Sequence, residues 1–389
     1  MLTKNILLKH FVTNYKIKKF RKKSKELEKE ILLKNYPLLE SHTNTYKYTY
    51  KKQIIKKLKN FKKITIIGMG GSILGTEAIY QFLKHKIKKK FIFINNLNPK
   101  LVNPKEKTLN IIISKSGETL ETISNFHILK TKSNKNKFIF ITEKKDSYIS
   151  QLANKIKSDV IEHKNFIGGR YSVLSEVGML PAQLMGLKEK NFKRLNNLLK
   201  NKNFLKGLII NVENTLKLLK LRKQNSIILN YDESSDNFFR WYQQLIAESL
   251  GKKSKGIVPI VSSMPKDNHS LLQLYLDGPK NNFFTFFNVL PVKSDKINKF
   301  DILNKKKYLK NKDLYQIIDS QKKATMNVFK SKKIPFRSFQ ILKRSEDVMG
   351  ELFSFFVLET ILLGKALKVN PFDQPSVELI KKETVKLLR

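Results

Sequence analysis

Residues 112–126 (IISKSGETLETISNF) end an apolar run and then place Ser114, Lys115, Ser116 and Thr119 in quick succession. Hydroxyl donors and an ammonium at this density suit a phosphate ester, which carries about −1.5 to −2 charges near neutral pH and accepts several charge-assisted hydrogen bonds. Helix capping accounts for one or two of them, because Ser or Thr ahead of a helix with Glu118 and Glu121 near its first turn is ordinary N-terminal chemistry. The other hydroxyls remain for a ligand. A second candidate is the glycine-rich turn 66–78 (IIGMGGSILGTEA), with Gly71 and Ser72 at its centre. It is not a dinucleotide fingerprint, because Ile73 stands where the third glycine is needed, and not a phosphate loop, because Thr76 stands where lysine is needed. What remains is a strand-to-helix turn whose free N–H groups and positive dipole end favour an anion.

Both turns follow short apolar runs, and those runs define the scaffold. Residues 64–68 (ITIIG), 91–95 (FIFIN), 110–113 (NIII) and 137–142 (KFIFIT) read as buried strands separated by helical periodicity. After a polar, helix-prone stretch over 188–223 the alternation resumes with 226–230 (SIILN), 255–261 (KGIVPIV), 283–289 (FFTFFNV) and 335–342 (PFRSFQIL). Helices are expected over 346–367 and about 375–388 at the C-terminus. The fold class is therefore α/β, with two doubly wound parallel sheets and helical N- and C-terminal extensions. In such sheets ligands bind beyond the carboxyl ends of the strands, where both hydroxyl-bearing turns fall. A helix is also expected over 237–249. Phe238, Trp241, Tyr242 and Leu245 form its buried stripe, Gln244 and Glu248 share a flank four residues apart, and Gly251 ends it.

Composition narrows the partners. A chain of 389 residues exceeds the usual single domain, so two domains of roughly 150 to 200 residues are expected. The formal charge is +45, yet only 8 of the 77 basic residues are Arg, and the lysines are spread along the whole chain. Nucleic-acid readers concentrate basic residues in a patch and favour Arg forks, so this diffuse excess reads as solvated surface and no nucleic-acid partner is expected. With no cysteines and six scattered histidines, neither disulfides nor a metal site is expected. The apolar runs are too short to span a bilayer, and the N-terminus carries no secretory pattern, so a soluble cytoplasmic protein without a membrane partner is expected.

The turns 68–75 (GMGGSILG) and 114–122 (SKSGETLET) together resemble the sugar isomerase (SIS) domain, which binds phosphosugars. Four further stretches narrow the resemblance. In order, 168–181 (GGRYSVLSEVGMLP), 243–252 (QQLIAESLGK), 267–279 (DNHSLLQLYLDGP) and 370–381 (NPFDQPSVELIK) resemble the signatures of the glucose-6-phosphate isomerase family. The resemblance runs from about residue 64 to the C-terminus. It implies two SIS domains, the first over 50–187 with the phosphate site and the second over 188–345 with the catalytic Glu and His. A C-terminal helical segment, 346–389, would carry the lysine motif, and an N-terminal helical segment, 1–49, would pack on the second domain.

The implied activity is interconversion of glucose 6-phosphate and fructose 6-phosphate in glycolysis and gluconeogenesis, through a cis-enediol and without a cofactor. Glu248 would be the base that moves the proton. Arg170 would stabilise the enediolate, while Gln244 and Gln374 would line the substrate site. His269 would assist ring opening from the partner subunit, so a homodimer is implied. Lys381 matches the family's C-terminal lysine, but the usual Gln-Trp-Gly-Val-Glu pattern reads Gln374-Pro375-Ser376-Val377-Glu378 here and Lys382 lies next door. Only one of the two lysines can point into a cleft, because successive helix positions differ by about 100°. Two alternatives stay open at this point: an isomerase that also accepts mannose 6-phosphate, and a non-catalytic phosphosugar-binding module.

Overall fold

A computed structural model of the chain describes residues 1–12, 26, 29–30, 36–97, 107–132, 136–291, 294–297 and 306–389. The chain starts with strand β1 (Ile6–Phe11) and then builds one sheet from β2 (Lys63–Ile67), β3 (Lys90–Ile94), β4 (Leu109–Ile113), β5 (Lys137–Thr142) and β6 (Asp159–Glu162). The order across this sheet is β3-β2-β4-β5-β6, and every pair is parallel. The chain places β3 on one side of β2 and then crosses to the other side for β4, so the connections diverge between β2 and β4. That divergence opens the crevice in which doubly wound sheets bind ligands. Every residue of β2 and β4 is buried, as expected for isoleucine-rich strands covered by helices on both faces.

The second sheet contains β7 (Asn225–Asn230), β8 (Val258–Ser263), β9 (Asn282–Val289) and β10 (Phe336–Ile341) in the order β1-β10-β9-β7-β8. Its core pairs are parallel, and β1 adds an antiparallel edge to β10. The N-terminal segment is therefore not helical throughout, contrary to expectation: Ile6–Phe11 is a strand, followed later by a helical turn at Pro37–His42. A run as short as ILLKHF satisfies either periodicity, and the unpaired edge of β10 decides it. Two further departures have local causes. Strand β6 (DVIE) went unread because its edge position leaves three of its four residues exposed. Strand β8 begins later than expected because Lys253, Ser254 and Gly256 all have positive φ, which breaks extended backbone.

The helix Asp236–Leu250 lies between the sheets, packed on the helices Leu74–Phe82 and Glu346–Leu367. The last of these is no peripheral extension, since every residue from Val348 to Gly364 is buried. One apolar cluster includes Ile64 and Ile111 from the first sheet, Ile228, Phe287 and Phe339 from the second, and Trp241 and Phe356 between them. Trp241 meets Phe353 edge-on with ring centroids 4.7 Å apart, and truncating such a side chain costs about 3–5 kcal/mol. Beneath this helix Arg337 and Glu359 form a buried ion pair, with Arg337 also donating to Thr285, Asn211 and Tyr242. Among the described residues no helix is long and apolar enough to cross a membrane.

Three histidines, His42 and His163 buried and His10 half-buried, make the fold acid-sensitive. Burial holds His42 near 3, assisted by the Lys193 charge, and His10 near 4, assisted by Arg337. Burial also holds His163 near 4, outweighing its hydrogen bond with the Lys164 carbonyl. In the unfolded chain each takes a proton near the ordinary value of about 6.5. Between that value and the folded one the unfolded state binds more protons, so stability is full above about pH 6.5 and falls as the pH drops. The slope approaches about 4 kcal/mol per pH unit while all three differ. Urea unfolding at pH 7 and pH 5 should show a clearly lower midpoint at pH 5, with a smaller loss in a His42→Gln variant.

Candidate active site

The two hydroxyl-bearing turns sit at the C-terminal ends of β2 and β4, on either side of the divergence point. After β2 the chain makes a tight turn, Gly70–Ser72, before the helix Leu74–Phe82. Gly70 has φ +52, and a Cβ there would meet Gln244 Nε2 at 2.5 Å. A Cβ on Gly71 would stand 2.2 Å from the Gly169 carbonyl carbon. The glycines thus let this turn touch both the helix that carries Gln244 and the turn Gly169–Leu174 that carries Arg170. After β4, Ser114 Oγ bonds Thr119 Oγ1 at 2.9 Å and accepts from the Gly117 N–H at 3.1 Å, while Ser116 Oγ accepts from the Glu118 N–H. Capping chemistry is therefore present in the turn. Ser72 has no hydrogen-bond partner for its hydroxyl among the described residues, and Lys115 donates to the Asn165 carbonyl at 2.8 Å.

The helix Asp236–Leu250 starts after β7 of the second sheet and delivers its C-terminal end to the first sheet's crevice. Twelve residues of helix, about 18 Å of rise, separate Asp236 from Glu248. Phe238, Trp241, Tyr242 and Leu245 are buried as expected, and the opposite flank presents Gln244 and Glu248. Gln244 Nε2 donates to Glu248 Oε1 at 2.9 Å, and Arg170 Nη1 reaches Glu248 Oε2 at 3.2 Å. Both carboxylate oxygens are thus held. The Glu248 side chain is 29% exposed, and that of Arg170 only 3%.

Arg170 uses all its nitrogens within the protein. Nε donates to Ser249 Oγ at 2.8 Å, Nη1 also donates to Gln374 Oε1 at 2.9 Å, and Nη2 donates to the carbonyls of Pro371 and Asp373. Lys252 adds bonds to the Asn370 carbonyl and to Asp373 Oδ1, the latter at 2.7 Å. The segment between the helices Glu346–Leu367 and Val377–Leu387 is clamped in this way against the carboxylate that shares Arg170. Trp241 Nε1 donates to the Arg170 carbonyl at 3.2 Å, which ties the clamp to the core.

Of the residues singled out by sequence, Gly71, Ser72, Lys115, Ser116, Thr119, Arg170, Gln244, Glu248, Gln374 and Lys381 all line one cleft of about 350 Å³. That is the small end of the usual range for ligand sites, about 300–1,000 Å³. Ser114 does not line it; buried behind Thr119, it braces the turn. His269 does not line it either, and stands exposed after the turn Lys266–Asn268. Lys381, bonded to Glu378 at 2.6 Å, faces the cleft, whereas Lys382 is absent from its wall.

Glu143, Lys145, Met69, Gly169 and Glu378 also line the cleft but were not singled out. Glu143 and Lys145 directly follow β5, so the rule of inspecting strand ends would have found them. Burial pushes the Glu143 carboxyl up, but the Lys145 hydrogen bond and the Lys115 charge outweigh it and hold the group below its ordinary value. The cleft thus offers hydroxyls and ammonium groups at the β2 and β4 ends and a fixed carboxylate on the helix beside them. This arrangement can anchor a phosphate and move a proton on the attached carbon chain.

Comparison with known proteins places this architecture. Residues 47–263 match the family model described as phosphoglucose isomerase. The glucose-6-phosphate isomerase of Methanocaldococcus jannaschii is 33% identical over 357 residues, covering 86% of each protein. Among solved structures, a hypothetical protein from Thermus thermophilus superposes with a TM-score of 0.80 at 22% identity, covering 95% of both chains. A glucose-6-phosphate isomerase from Chlamydia trachomatis gives 0.71 at 18% identity, covering 86% of this chain and 71% of that one. The structural likenesses establish the fold, and the sequence match sets the family: the chain belongs to the phosphoglucose isomerase family.

Proposed function

We propose that the chain interconverts glucose 6-phosphate and fructose 6-phosphate with Glu248 as the base. The observation that carries this reading is that Glu248, fixed through both oxygens, shares one cleft with the hydroxyl-rich turns. The phosphate binds Ser72, Lys115, Ser116 and Thr119, and its binding energy holds the reacting carbons in place. Glu248 takes the proton from C2 of the open-chain aldose, giving a cis-enediolate; the O2 hydroxyl proton passes to O1, and Glu248 returns its proton to C1. The aldehyde at C1 becomes a hydroxyl and the hydroxyl at C2 becomes a ketone, so no electrons leave the sugar and no redox partner is needed. Arg170 Nη1 offsets negative charge as it builds on the sugar oxygens beside Glu248. Lys381 and Gln374 close the other side of the cleft.

Ring opening requires a group that exchanges protons with the ring oxygen, and the reading gives this to the partner subunit's His269. Within one chain His269 is exposed and outside the cleft, and the neighbouring edge strand β8 leaves Val258 and Ile260 exposed. A symmetric dimer formed at that edge satisfies both. The test is a coupled assay of fructose 6-phosphate conversion, with mannose 6-phosphate in parallel, on wild type and on mixed variants. Glu248→Gln and His269→Asn are each nearly inactive alone. After co-refolding, a shared site regains about a quarter of wild-type activity, since half the dimers are hybrids with one intact site. A site built from one chain regains none, and a wild type without turnover would remove the function itself.

A further inference from the structure

Given the sugar-phosphate reading of the cleft, on which this rests, we propose that Lys145 binds the phosphate as a second ammonium beside Lys115 and that Glu143 positions the two. Strands β4 and β5 are parallel neighbours, so their carboxyl ends lie side by side. Lys115 follows β4 by two residues, and Glu143 and Lys145 stand first and third after β5. The Glu143 N–H donates to the Lys115 carbonyl at 3.2 Å, and the Lys145 N–H donates to the Glu143 carbonyl at 2.9 Å. Backbone thus fixes all three residues at one place, on the cleft wall that also holds Ser116 and Thr119.

A carboxylate on this wall calls for a physical cause. Burial raises the Glu143 carboxyl, but the Lys145 hydrogen bond and the Lys115 charge hold it below its ordinary value, so it is charged at neutral pH. A negative charge in the wall of an anion cleft repels the ligand and is unfavourable there unless it organises the cations. Its contacts do organise them: Oε1 meets Lys115 Nζ at 3.4 Å, and Oε2 meets Lys145 Nζ at 2.8 Å. One side chain, only 15% exposed, therefore anchors two lysines. The Lys145 side chain is 48% exposed and has no other partner among the described residues.

The two ammonium groups are not equivalent. Each carries three N–H donors. Lys115 gives one to the Asn165 carbonyl at 2.8 Å and faces Glu143 with another, so most of its capacity holds the fold together. Lys145 gives one to Glu143 and keeps the rest for the cleft. A phosphate dianion takes several charge-assisted hydrogen bonds, and its second charge finds a cation in Lys145. The flexible lysine stem adapts to the phosphate without demanding one geometry. On the competing account Lys145–Glu143 is a solvated ion pair worth little, and its removal changes nothing at the cleft.

The test joins steady-state kinetics on fructose 6-phosphate with calorimetric titration of the same sugar into the full chain at physiological salt. Lys145→Gln should raise KM and Kd by about tenfold, the loss of one charge-assisted contact, with kcat within about twofold, because phosphate contacts hold ground state and transition state alike. Competitive inhibition by inorganic phosphate should weaken by the same factor. Lys144→Gln removes the same charge from an exposed neighbour outside the cleft wall and should stay within about twofold on every measure. Glu143→Gln should raise KM by about threefold although it makes the wall more positive, since Lys145 then swings into solvent. Equal effects of Lys144→Gln and Lys145→Gln, unchanged phosphate inhibition in Lys145→Gln, or tighter sugar binding in Glu143→Gln would each overturn the proposal. Wild-type KM in Lys145→Gln, with turnover intact, sinks this contact alone. A wild type that binds the sugar through Lys145 without converting it sinks the isomerase and leaves the contact standing.

Discussion

Replacing Glu248 by Gln should lower kcat for fructose 6-phosphate by about 10³-fold, with KM within about threefold of wild type. The substitution preserves shape and hydrogen-bonding capacity and removes only the ability to accept the proton. Gln244 and Arg170 both donate to the carboxylate, so the new amide must turn one donor toward another. Gln244 can absorb this by rotating its own amide, because its buried Oε1 has no partner among the described residues. Folding stability should therefore barely change, and a thermal melt recorded beside the assay separates lost chemistry from lost structure. A Glu248→Gln enzyme with wild-type turnover would remove Glu248 as the base.

Arg170→Ala should have the second largest effect, lowering kcat/KM by about 10³-fold, or about 4 kcal/mol of transition-state stabilisation. The physical basis is the clamp. Arg170 alone joins Ser249, Glu248, Gln374 and the carbonyls of Pro371 and Asp373. Its loss frees one carboxylate oxygen, leaves the Pro371 carbonyl with Tyr171 OH as its side-chain donor among the described residues, and loosens the segment leading into the helix with Lys381. Arg170→Lys restores a positive charge but cannot span these acceptors, so it should recover little of the rate. Limited proteolysis gives an independent readout, with faster cleavage within 370–376 in both variants. If Arg170→Lys matched wild type in rate and protease resistance, charge alone would matter and the clamp would not.

These two residues show how much could be read in advance. Glu248 was legible because apolar spacing over fifteen residues fixes which flank of its helix is buried, and the helix formed almost to the expected bounds. The role given to Arg170 was narrower than its contacts. Sequence assigned the guanidinium to the substrate, whereas its partners lie from 78 to 204 positions away and no local pattern encodes them. Lys381 and Lys382 were indistinguishable in sequence, and the packing of the C-terminal segment put Lys381 on the cleft wall.

The sequence by itself determined the parallel sheets, the two hydroxyl-bearing turns and the carboxylate-bearing helix. Each is set by side-chain periodicity or turn chemistry within a window of about fifteen residues. Only the tertiary structure decided that Ile6–Phe11 completes the second sheet, that Ser114 braces the turn from behind, and that Glu143 and Lys145 enter the cleft. It also put His269 outside the cleft of its own chain. These outcomes depend on which distant surfaces meet, and burial of the shared core between the sheets selects those meetings at a range that local patterns do not reach.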